Sequence, residues 1–275
     1  MSFDSFVIER WQRDRDVFVS TAKELGAVVN VQNANGDVQK QIEQIDYFVK
    51  KGVDVIVIVC IDSDSLKDVV DNAKDSGIKI IAYDRLVTNS NADLYITFDN
   101  EMVGNLMAEE LAKKNPDGKK ILMLGGSPLD NNVPLVETGF EAVCNRKNMT
   151  IVDSMHCDGW RAELAAEYIY NNPDVVSSVD AIMCGNDNLA GQVIRALSEK
   201  RLAGEIPVVG QDADLEACQR IVEGTQTMTV YKPVEKLAKR AAECAIALAK
   251  GESFYADDVS TINDGTYDIR YIGLT

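Results

Sequence analysis

Six short segments of the sequence combine carboxylates, amides and cations with an occasional aromatic side chain. They are Glu9-Arg10-Trp11, Asp84-Arg85, Asp130-Asn131-Asn132, Asp158-Gly159-Trp160, Asn186-Asp187, and Gly210-Gln211-Asp212-Ala213-Asp214 with Tyr231-Lys232-Pro233. Planar polar groups can hold neighbouring ring hydroxyls in paired hydrogen bonds, and an indole packs on the apolar C–H faces of the same ring. This mixture of side chains is what a cyclic sugar requires of its binding site.

Each segment follows an apolar run that we interpret as a buried strand. Open α/β sheets bind their ligands beyond the carboxyl ends of the strands, so the six segments are expected at the ligand-binding ends of their sheets. Both tryptophans of the chain, Trp11 and Trp160, stand among polar residues rather than in an apolar periodic run. A half-buried surface position is the alternative for each of them, and stacking on a sugar ring is the favoured interpretation.

Apolar runs and amphipathic stretches alternate along the chain, which is typical of parallel sheets covered by helices. The predicted strands are 1–3, 28–33, 53–60, 79–83, 94–98, 120–124, 150–155, 181–184, 207–209 and 227–230. The predicted helices are 37–51, 63–75, 102–114, 135–146, 161–170, 188–199, 215–222 and 234–250. The run at 1–3 reads as the tail of a strand, so we expect a processed or incomplete start, with any export signal missing from the sequence.

The same segments closely resemble those of the D-xylose-binding proteins, a periplasmic sugar-binding family that serves ABC importers. The strings that carry the resemblance are ERWQRDRD from Glu9, AYDR from Ala82, GGSPLDNN from Gly125, DGW from Asp158, GQDADL from Gly210 and GTQTMTVYKP from Gly224. They occur in order from about Ser2 to about Gly251, and the resemblance fades towards the carboxyl terminus.

The resemblance implies an α/β protein with the two-lobed type I fold of periplasmic binding proteins. Each lobe is expected to be a doubly wound parallel sheet, with a three-segment hinge joining the lobes and the sugar site in the cleft between them. We expect residues 1–99 plus 234–257 in the N-terminal lobe and residues 100–233 plus 258–275 in the C-terminal lobe. The third crossing is expected near 257–260.

The resemblance also selects the side chains that are expected to bind the sugar, with no catalytic residue, metal or cofactor among them. They are Arg10, Trp11, Asp84, Arg85, Asp130, Asn132, Trp160, Asn186, Asp212 and Lys232. Three cations and three carboxylates in this set can offset each other's desolvation by pairing. Asn131 and Asn188 are expected to cap or turn instead, and the roles of Asp130 and Asp187 stay open.

Other kinds of chemistry lack the necessary residues. His156 is the sole histidine, which argues against a metal centre or a nucleophile–histidine pair, and a structural role is favoured for it. Gly125-Gly126-Ser127 lacks the lysine of a phosphate-binding loop. The six cysteines are isolated and are expected to be reduced thiols, although an exported protein could pair some of them.

Composition limits the partners. The chain has 275 residues and a net charge of −16, which argues against nucleic acid and an anionic membrane surface. No apolar run reaches the ~18 residues of a membrane span, so no direct membrane insertion is expected. A neutral sugar is the compatible ligand, D-xylose or a related aldopentose by resemblance.

Three roles are considered for such a protein, and the first two would place it outside the cytoplasm, in the periplasm or at the extracellular side of a membrane. The sugar-loaded form can dock on the permease of an ABC importer, or it can signal to a membrane sensor histidine kinase. The third role, the effector core of a sugar-responsive repressor, requires a helix-turn-helix segment that the sequence lacks. An enzyme is not expected, because no pair of acidic residues has a reason for split pKa values.

Overall fold

The computed structural model describes residues 1–113, 118–252 and 258–274. Strands and helices alternate along most of these residues, which confirms the predicted α/β class. The strands are β1 (Ser2–Phe3), β2 (Gln32–Asn33), β3 (Val55–Ile58), β4 (Lys79–Tyr83), β5 (Leu94–Phe98), β6 (Lys120–Gly125), β7 (Thr150–His156), β8 (Ala181–Cys184), β9 (Val208–Gln211), β10 (Met228–Val230), β11 (Ser260–Asn263) and β12 (Asp268–Leu274). The helices are α1 (Arg10–Glu24), α2 (Val38–Lys51), α3 (Lys67–Asp75), α4 (Asn100–Ala112), α5 (Asn132–Arg146), α6 (Glu163–Asn171), α7 (Pro173–Ser178), α8 (Asp187–Glu199), α9 (Leu215–Glu223) and α10 (Val234–Lys250).

The chain divides into two compact units. The first unit comprises Met1–Phe98, Leu129–Asn131 and Pro233–Thr275, and the second comprises Asp99–Pro128 and Asn132–Lys232. Each unit contains one sheet, with strand order β11-β12-β5-β4-β3-β1-β2 in the first and β10-β9-β8-β6-β7 in the second. All strand pairs are parallel except the pair β11 and β12.

The central strands of the first unit's sheet are buried on both faces. Every residue of β5 is buried, as are Ile56 to Ile58 in β3, which is the pattern of a strand covered by helices on either side. Helix α2 buries Ile45 and Phe48 against this core. Its ends follow from local chemistry, since the Asp37 side chain accepts from the Lys40 amide and Gly52 adopts φ 64° after the last turn.

The second unit depends on an unusually close approach of α4 and α5. A Cβ atom at Gly104 would lie 1.9 Å from the Val136 carbonyl oxygen, and one at Gly139 would lie 2.0 Å from the Glu101 carbonyl oxygen. Two glycines therefore let the helix backbones touch. Below them, Met107 and Phe140 are fully buried in the core that covers β6, β8 and β9.

The carboxyl-terminal tail is the main correction to the predicted domains. Residues 258–275 were expected in the second lobe, but β12 pairs in parallel with β5 of the first unit, from Tyr271 opposite Tyr95 to Leu274 opposite Phe98. Burial explains this pairing, because β5 is buried along its whole length and would otherwise be an exposed sheet edge. The third crossing predicted near 257–260 is thus wrong for 258–260, and residues 253–257 lie outside the described residues.

A second correction concerns residues 129–131, which were expected in the second lobe with 100–233. The segment belongs to the first unit. The Asn131 carboxamide accepts a hydrogen bond from the Leu86 amide at 2.7 Å and donates one to the Tyr95 hydroxyl at 3.4 Å. Asp130 in the same segment pairs with Arg85. Backbone and charge interactions together hold these three residues to the first unit.

Element ends differ from the prediction where pairing or capping decides them. The strand predicted at 28–33 is reduced to Gln32–Asn33, because β1 offers only Ser2 and Phe3 as partners. Helix α7 begins at Pro173 and was missed, since its six residues are too short to show periodicity. Among the described residues, no helix has the length and apolar character needed to cross a bilayer.

Candidate functional site

The predicted binding residues do lie beyond strand ends, as the sequence analysis expected. Asp84 and Arg85 directly follow β4, and Asp212 directly follows β9. Trp160 lies four residues after β7, in a short 3-10 helix at Asp158–Trp160. These residues fall into two sets, one in each unit.

In the first unit, two arginines are surrounded by four buried carboxylates. Arg10 contacts Asp14 through two nitrogens, at 2.9 and 3.2 Å, and its Nη2 lies 2.8 Å from Asp84 Oδ2. The Tyr83 hydroxyl also donates to Asp14. All three charged side chains are less than 5% exposed. Helix α1 places Arg10 and Asp14 one turn apart, so one face of the helix carries both charges.

Arg85 forms the second half of this network. Its Nη1 lies 2.7 Å from Asp4 Oδ2 and 2.9 Å from the Cys60 carbonyl oxygen, and its Nε lies 2.7 Å from Asp130 Oδ2. Burial opposes the charge of Arg85, but the Asp130 and Asp4 carboxylates raise its pKa above the ordinary value. The guanidinium therefore stays protonated and its position is fixed by three partners.

The carboxylates of the network respond to the same two influences. Burial raises the pKa of Asp4, against the opposing effect of Arg85, and it raises the pKa of Asp14, against that of Arg10. Neither residue was predicted from the sequence as part of the site. Asp14 could have been found by its spacing of four from Arg10 in the helix, and Asp4 by its place directly after β1.

Trp11 lies beside both guanidinium groups. Arg10 Cζ is 4.4 Å and Arg85 Cζ 5.5 Å from the centroid of its ring, and the ring is 2% exposed. Cations at these distances are attracted to the indole face. Its Nε1 has no hydrogen-bond partner among the described residues, although it is buried. A buried indole N–H normally has an acceptor, so this donor is one a bound hydroxyl could satisfy.

In the second unit, the central ion pair joins Lys232 and Asp212. Lys232 Nζ lies 2.7 Å from Asp212 Oδ1, with both side chains less than 10% exposed. Strands β9 and β10 are paired, from Met228 opposite Val209 to Val230 opposite Gln211, so the residues that follow them are adjacent. The predicted pairing of charges is thus present here as well as around Arg10 and Arg85.

The segment Asp212–Asp214 has an unusual backbone. Asp212 has φ 102° and Ala213 has φ 53°, both in the left-handed region that favours glycine. Such conformations cost free energy and persist where surrounding contacts impose them. The Asp212 amide donates to the Val230 carbonyl at 2.9 Å, and the Ala213 amide donates to Thr229 Oγ1 at 3.1 Å.

Trp160 presses against a strand-end glycine. A Cβ atom at Gly126 would lie 2.2 Å from Cη2 of the indole, so the ring covers the backbone just after β6. Trp160 is 8% exposed and has φ 57°. The Gly125-Gly126-Ser127 segment, a weak candidate for phosphate binding, thus has a steric role beneath this ring.

The two predicted asparagines occupy helix starts. Asn186 caps α8 by accepting from the Leu189 amide at 2.9 Å, a role the sequence analysis assigned instead to Asn188. Asn132 begins α5 and accepts from Asn100 Nδ2 at 3.0 Å. In Asn186 the cap uses the carboxamide oxygen and leaves the NH₂ group as the part able to serve a ligand.

Gln211 is a candidate that the sequence analysis did not select. Its Nε2 donates to the Gly185 carbonyl at 2.5 Å, while its buried Oε1 has no hydrogen-bond partner among the described residues. An unsatisfied buried acceptor normally costs free energy, so this oxygen is suited to a ligand hydroxyl. The residue stands in the GQDADL string, and its position directly before Asp212 was the available signal.

Both sets of residues are suited to holding hydroxyl groups. Charged groups are paired and buried, and a few oriented donors and acceptors remain for a ligand. Within residues 1–113, 118–252 and 258–274, no three histidine, cysteine or acidic side chains are grouped so that they could hold a metal ion. The buried ion pairs and the oriented donors and acceptors are the observations that support recognition by fixed hydrogen bonds.

Comparison with known proteins gives a consistent result. Residues 1–253 match the family described as Periplasmic binding protein domain. The chain is 43% identical over 274 residues to the D-xylose-binding periplasmic protein of Haemophilus influenzae, covering 98% of this chain and 82% of that protein. It is also 43% identical over 274 residues to the D-xylose-binding periplasmic protein of Escherichia coli strain K12, with the same coverage.

A solved structure is similar over nearly the full length. It is an ABC transporter solute binding protein from Clostridium phytofermentans with bound β-D-glucose. The TM-score is 0.89 and the sequence identity is 27%, over 99% of this chain and 90% of that one.

Proposed function

The chain belongs to the periplasmic binding protein family and has its type I fold, and from this we propose that it is a D-xylose receptor that delivers its sugar to an ABC importer. The observation that carries the proposal is the 43% identity, over 98% of the chain, to proteins named for D-xylose binding. The role is binding and release without chemical change of the sugar.

The site chemistry supports a sugar ligand. We propose that the ten residues selected from the sequence contact it, and that Gln211 joins them. Indole rings suit the C–H faces of a pyranose, and buried, ion-paired groups such as Arg85 and Asp212 suit its hydroxyls. In this proposal, replacing any of the selected residues lowers the affinity for the sugar.

Calorimetry tests the ligand. D-Xylose, D-ribose, L-arabinose and D-glucose are titrated into the protein, and D-xylose is expected to bind one-to-one with the highest affinity. D-Glucose is expected to bind at least tenfold more weakly, because its extra hydroxymethyl group must find space and a partner in a site fitted to a pentose, at about 1–3 kcal/mol. If glucose or ribose binds most tightly, the protein is a receptor for that sugar instead.

A thermal shift provides a second measurement. Sugar present at ~100 times its dissociation constant stabilises the native state by about 2.7 kcal/mol, which raises the melting temperature. If none of the four sugars gives heat or a shift, the sugar-receptor proposal is wrong.

We propose that the protein acts in the periplasm or at the outer face of a membrane, with an ABC permease as its partner. The alternative partner is the outer domain of a membrane sensor kinase, which would make the protein a signalling subunit. Co-purification with each candidate partner, with and without D-xylose, discriminates the two. Capture by a kinase domain, and not by a permease, would favour the alternative.

A further inference from the structure

Asp187 is a buried carboxylate that lies next to the strained segment Asp212–Asp214. It is the first residue of α8 and is 1% exposed. Its Oδ2 accepts from the Asp214 amide at 3.1 Å and from the Thr229 hydroxyl at 2.7 Å. Its Oδ1 accepts from Gln226 Nε2 at 2.8 Å. No cationic side chain contacts either oxygen among the described residues, so Asp187 differs from the ion-paired aspartates.

These hydrogen bonds converge on the two amides that follow Asp212. The Asp214 amide is held by Asp187 directly, and the Ala213 amide is held through Thr229, whose hydroxyl accepts from Ala213 and donates to Asp187. The backbone at Asp212 and Ala213 is left-handed, a conformation that needs such support in non-glycine residues. One carboxylate thus stabilises the turn that directs Asp212 towards Lys232.

Gly210 leaves room for this carboxylate. A Cβ atom at position 210 would lie 2.5 Å from Asp187 Oδ1, while its next neighbour, Gln226 Nε2, would be 3.3 Å away. Position 210 in the GQDADL string therefore requires glycine, because a larger residue would collide with the Asp187 side chain.

We propose that Asp187 is a positioning residue for sugar binding, which acts by holding the segment Asp212–Asp214 in its strained conformation without touching the sugar. The inference rests on the proposed function, because the measured consequence is sugar affinity. It goes beyond that function by assigning the recognition geometry at Asp212 to a carboxylate outside the predicted contact set.

The direct test compares the D-xylose affinities of Asp187→Ala, Asp187→Asn and wild type by calorimetry. Asp187→Ala is expected to weaken binding at least tenfold, and Asp187→Asn less, since its carboxamide oxygen still accepts one of the hydrogen bonds. Val193→Ala is the matched control, because Val193 is a fully buried core residue of the same helix. It should lower the melting temperature while leaving affinity within twofold. Equal affinities in Asp187→Ala and Val193→Ala would overturn the proposal.

A double-mutant cycle with Gly210→Ala tests the geometry without relying on Asp187→Ala alone. In the wild-type background the added methyl displaces the carboxylate and should weaken D-xylose binding severalfold. In the Asp187→Ala background the methyl occupies space that the carboxylate has left, so it should not weaken D-xylose binding further. If the double variant instead weakens binding by the product of the two single-variant factors, the substitutions act independently and the proposal is contradicted.

Hydrogen exchange separates this proposal from the proposed function. The Ala213 and Asp214 amides should exchange slowly in wild type and markedly faster in Asp187→Ala, in the absence of any sugar. Faster exchange together with no sugar binding by wild type would refute the receptor role, while showing that Asp187 still holds the segment Asp212–Asp214. Unchanged exchange would refute the positioning role whatever the wild type binds.

Discussion

At the scale of single residues, the site is defined by how its buried charges are compensated. Arg10, Arg85 and Lys232 each have a carboxylate within 3 Å. Removing one partner from such a pair costs more than the pair contributes, because the remaining charge is left buried. Substitutions that keep the shape and change the charge are therefore the informative ones.

Asp212 illustrates this. Asp212→Ala removes charge-assisted hydrogen bonds of about 1.5–3 kcal/mol each and leaves Lys232 without its close partner carboxylate. D-Xylose affinity should fall by about two orders of magnitude, whereas Asp212→Asn should be milder. Calorimetry measures both, with the exposed Glu223→Ala of the same unit as control. If Asp212→Ala binds as tightly as Glu223→Ala, then Asp212 has no part in recognition.

The buried Asp187 carboxyl group should make the free energy of unfolding depend on pH, with a sign that follows from the shift of its pKa. Burial raises its pKa to about 6, opposed by hydrogen bonds from Thr229 and Gln226 and assisted by the Asp212 carboxylate. Folding thus favours the protonated form, and the destabilisation from this group is absent below about pH 4 and fully developed above about pH 6. Relative to Asp187→Asn, which cannot ionise, wild type should lose about 3 kcal/mol of unfolding free energy over this range.

Urea unfolding of both proteins at pH 4.5 and pH 7.5 measures about 2 kcal/mol of that difference, because Asp187 of the unfolded chain is already mostly ionised at pH 4.5. The charged groups nearest the carboxylate are Asp212, Asp214 and Arg220, and all are retained in the variant. Asp174→Asn, at an exposed site of the same unit, is the control and should show no such change. A pH-independent difference between wild type and Asp187→Asn would mean that Asp187 has the same pKa in both states.

The sequence predicted residue types at strand ends better than it predicted their partners. Asp84, Arg85, Asp212 and Lys232 are all buried beside opposite charges, as their compensation required. Asp4 and Asp14 were missed, because their places directly after β1 and four residues after Arg10 are signals of position and do not by themselves show burial. Gln211 was missed because its unsatisfied oxygen becomes apparent only once the surrounding acceptors and donors have positions.

At the scale of elements, long apolar runs were predicted well, whereas short elements and the 15-residue, largely polar helix α1 were not predicted. Strands β4, β5 and β8 and helix α10 have the predicted ends. Their patterns are strong, and α10 also has Gly251 at its carboxyl end. The antiparallel pair β11 and β12 was not predicted, since pairing with β5 depends on a neighbour distant in sequence. Such long-range pairing has no local signal.

The contact between α4 and α5 gives a prediction at this scale. Gly104→Ala and Gly139→Ala each place a methyl within 2.0 Å of a backbone oxygen of the other helix, so the helices must separate. We expect each to destabilise the second unit by about 1–3 kcal/mol or more, as overpacking does. Thermal unfolding measures this, with Glu141→Ala on the exposed side of α5 as control. Gly→Ala variants as stable as Glu141→Ala would show that the helices are not so close.

At the scale of the whole molecule, the two units differ in how the chain builds them. The second unit uses residues 99–232 with only 129–131 excepted, whereas the first needs Met1–Phe98 and also α10, β11 and β12 from the far end. Helix α10 supplies buried residues such as Leu237 and Ala241, and β12 covers β5. The first unit therefore requires both ends of the sequence.

Fragments test this difference. Residues 99–232 expressed alone should fold, with cooperative thermal unfolding by circular dichroism, because their sheet and helices are complete. Residues 1–98 alone should remain unfolded or aggregate, because β5 lacks β12. Adding a separate peptide of residues 233–275 to the fragment 1–98 should restore its structure. A cooperatively folded 1–98 fragment would contradict the expectation.

The same division of the chain has a consequence during synthesis. Residues 1–98 are synthesised first, yet the strand that pairs with β5 begins only at Asp268. At 5–20 residues per second the interval is roughly ten to thirty seconds. During this interval the β5 edge of the first unit stays unpaired. The second unit, although it is made later, can already fold. Such a delay leaves the first unit incompletely folded until the last strand of the chain has been made.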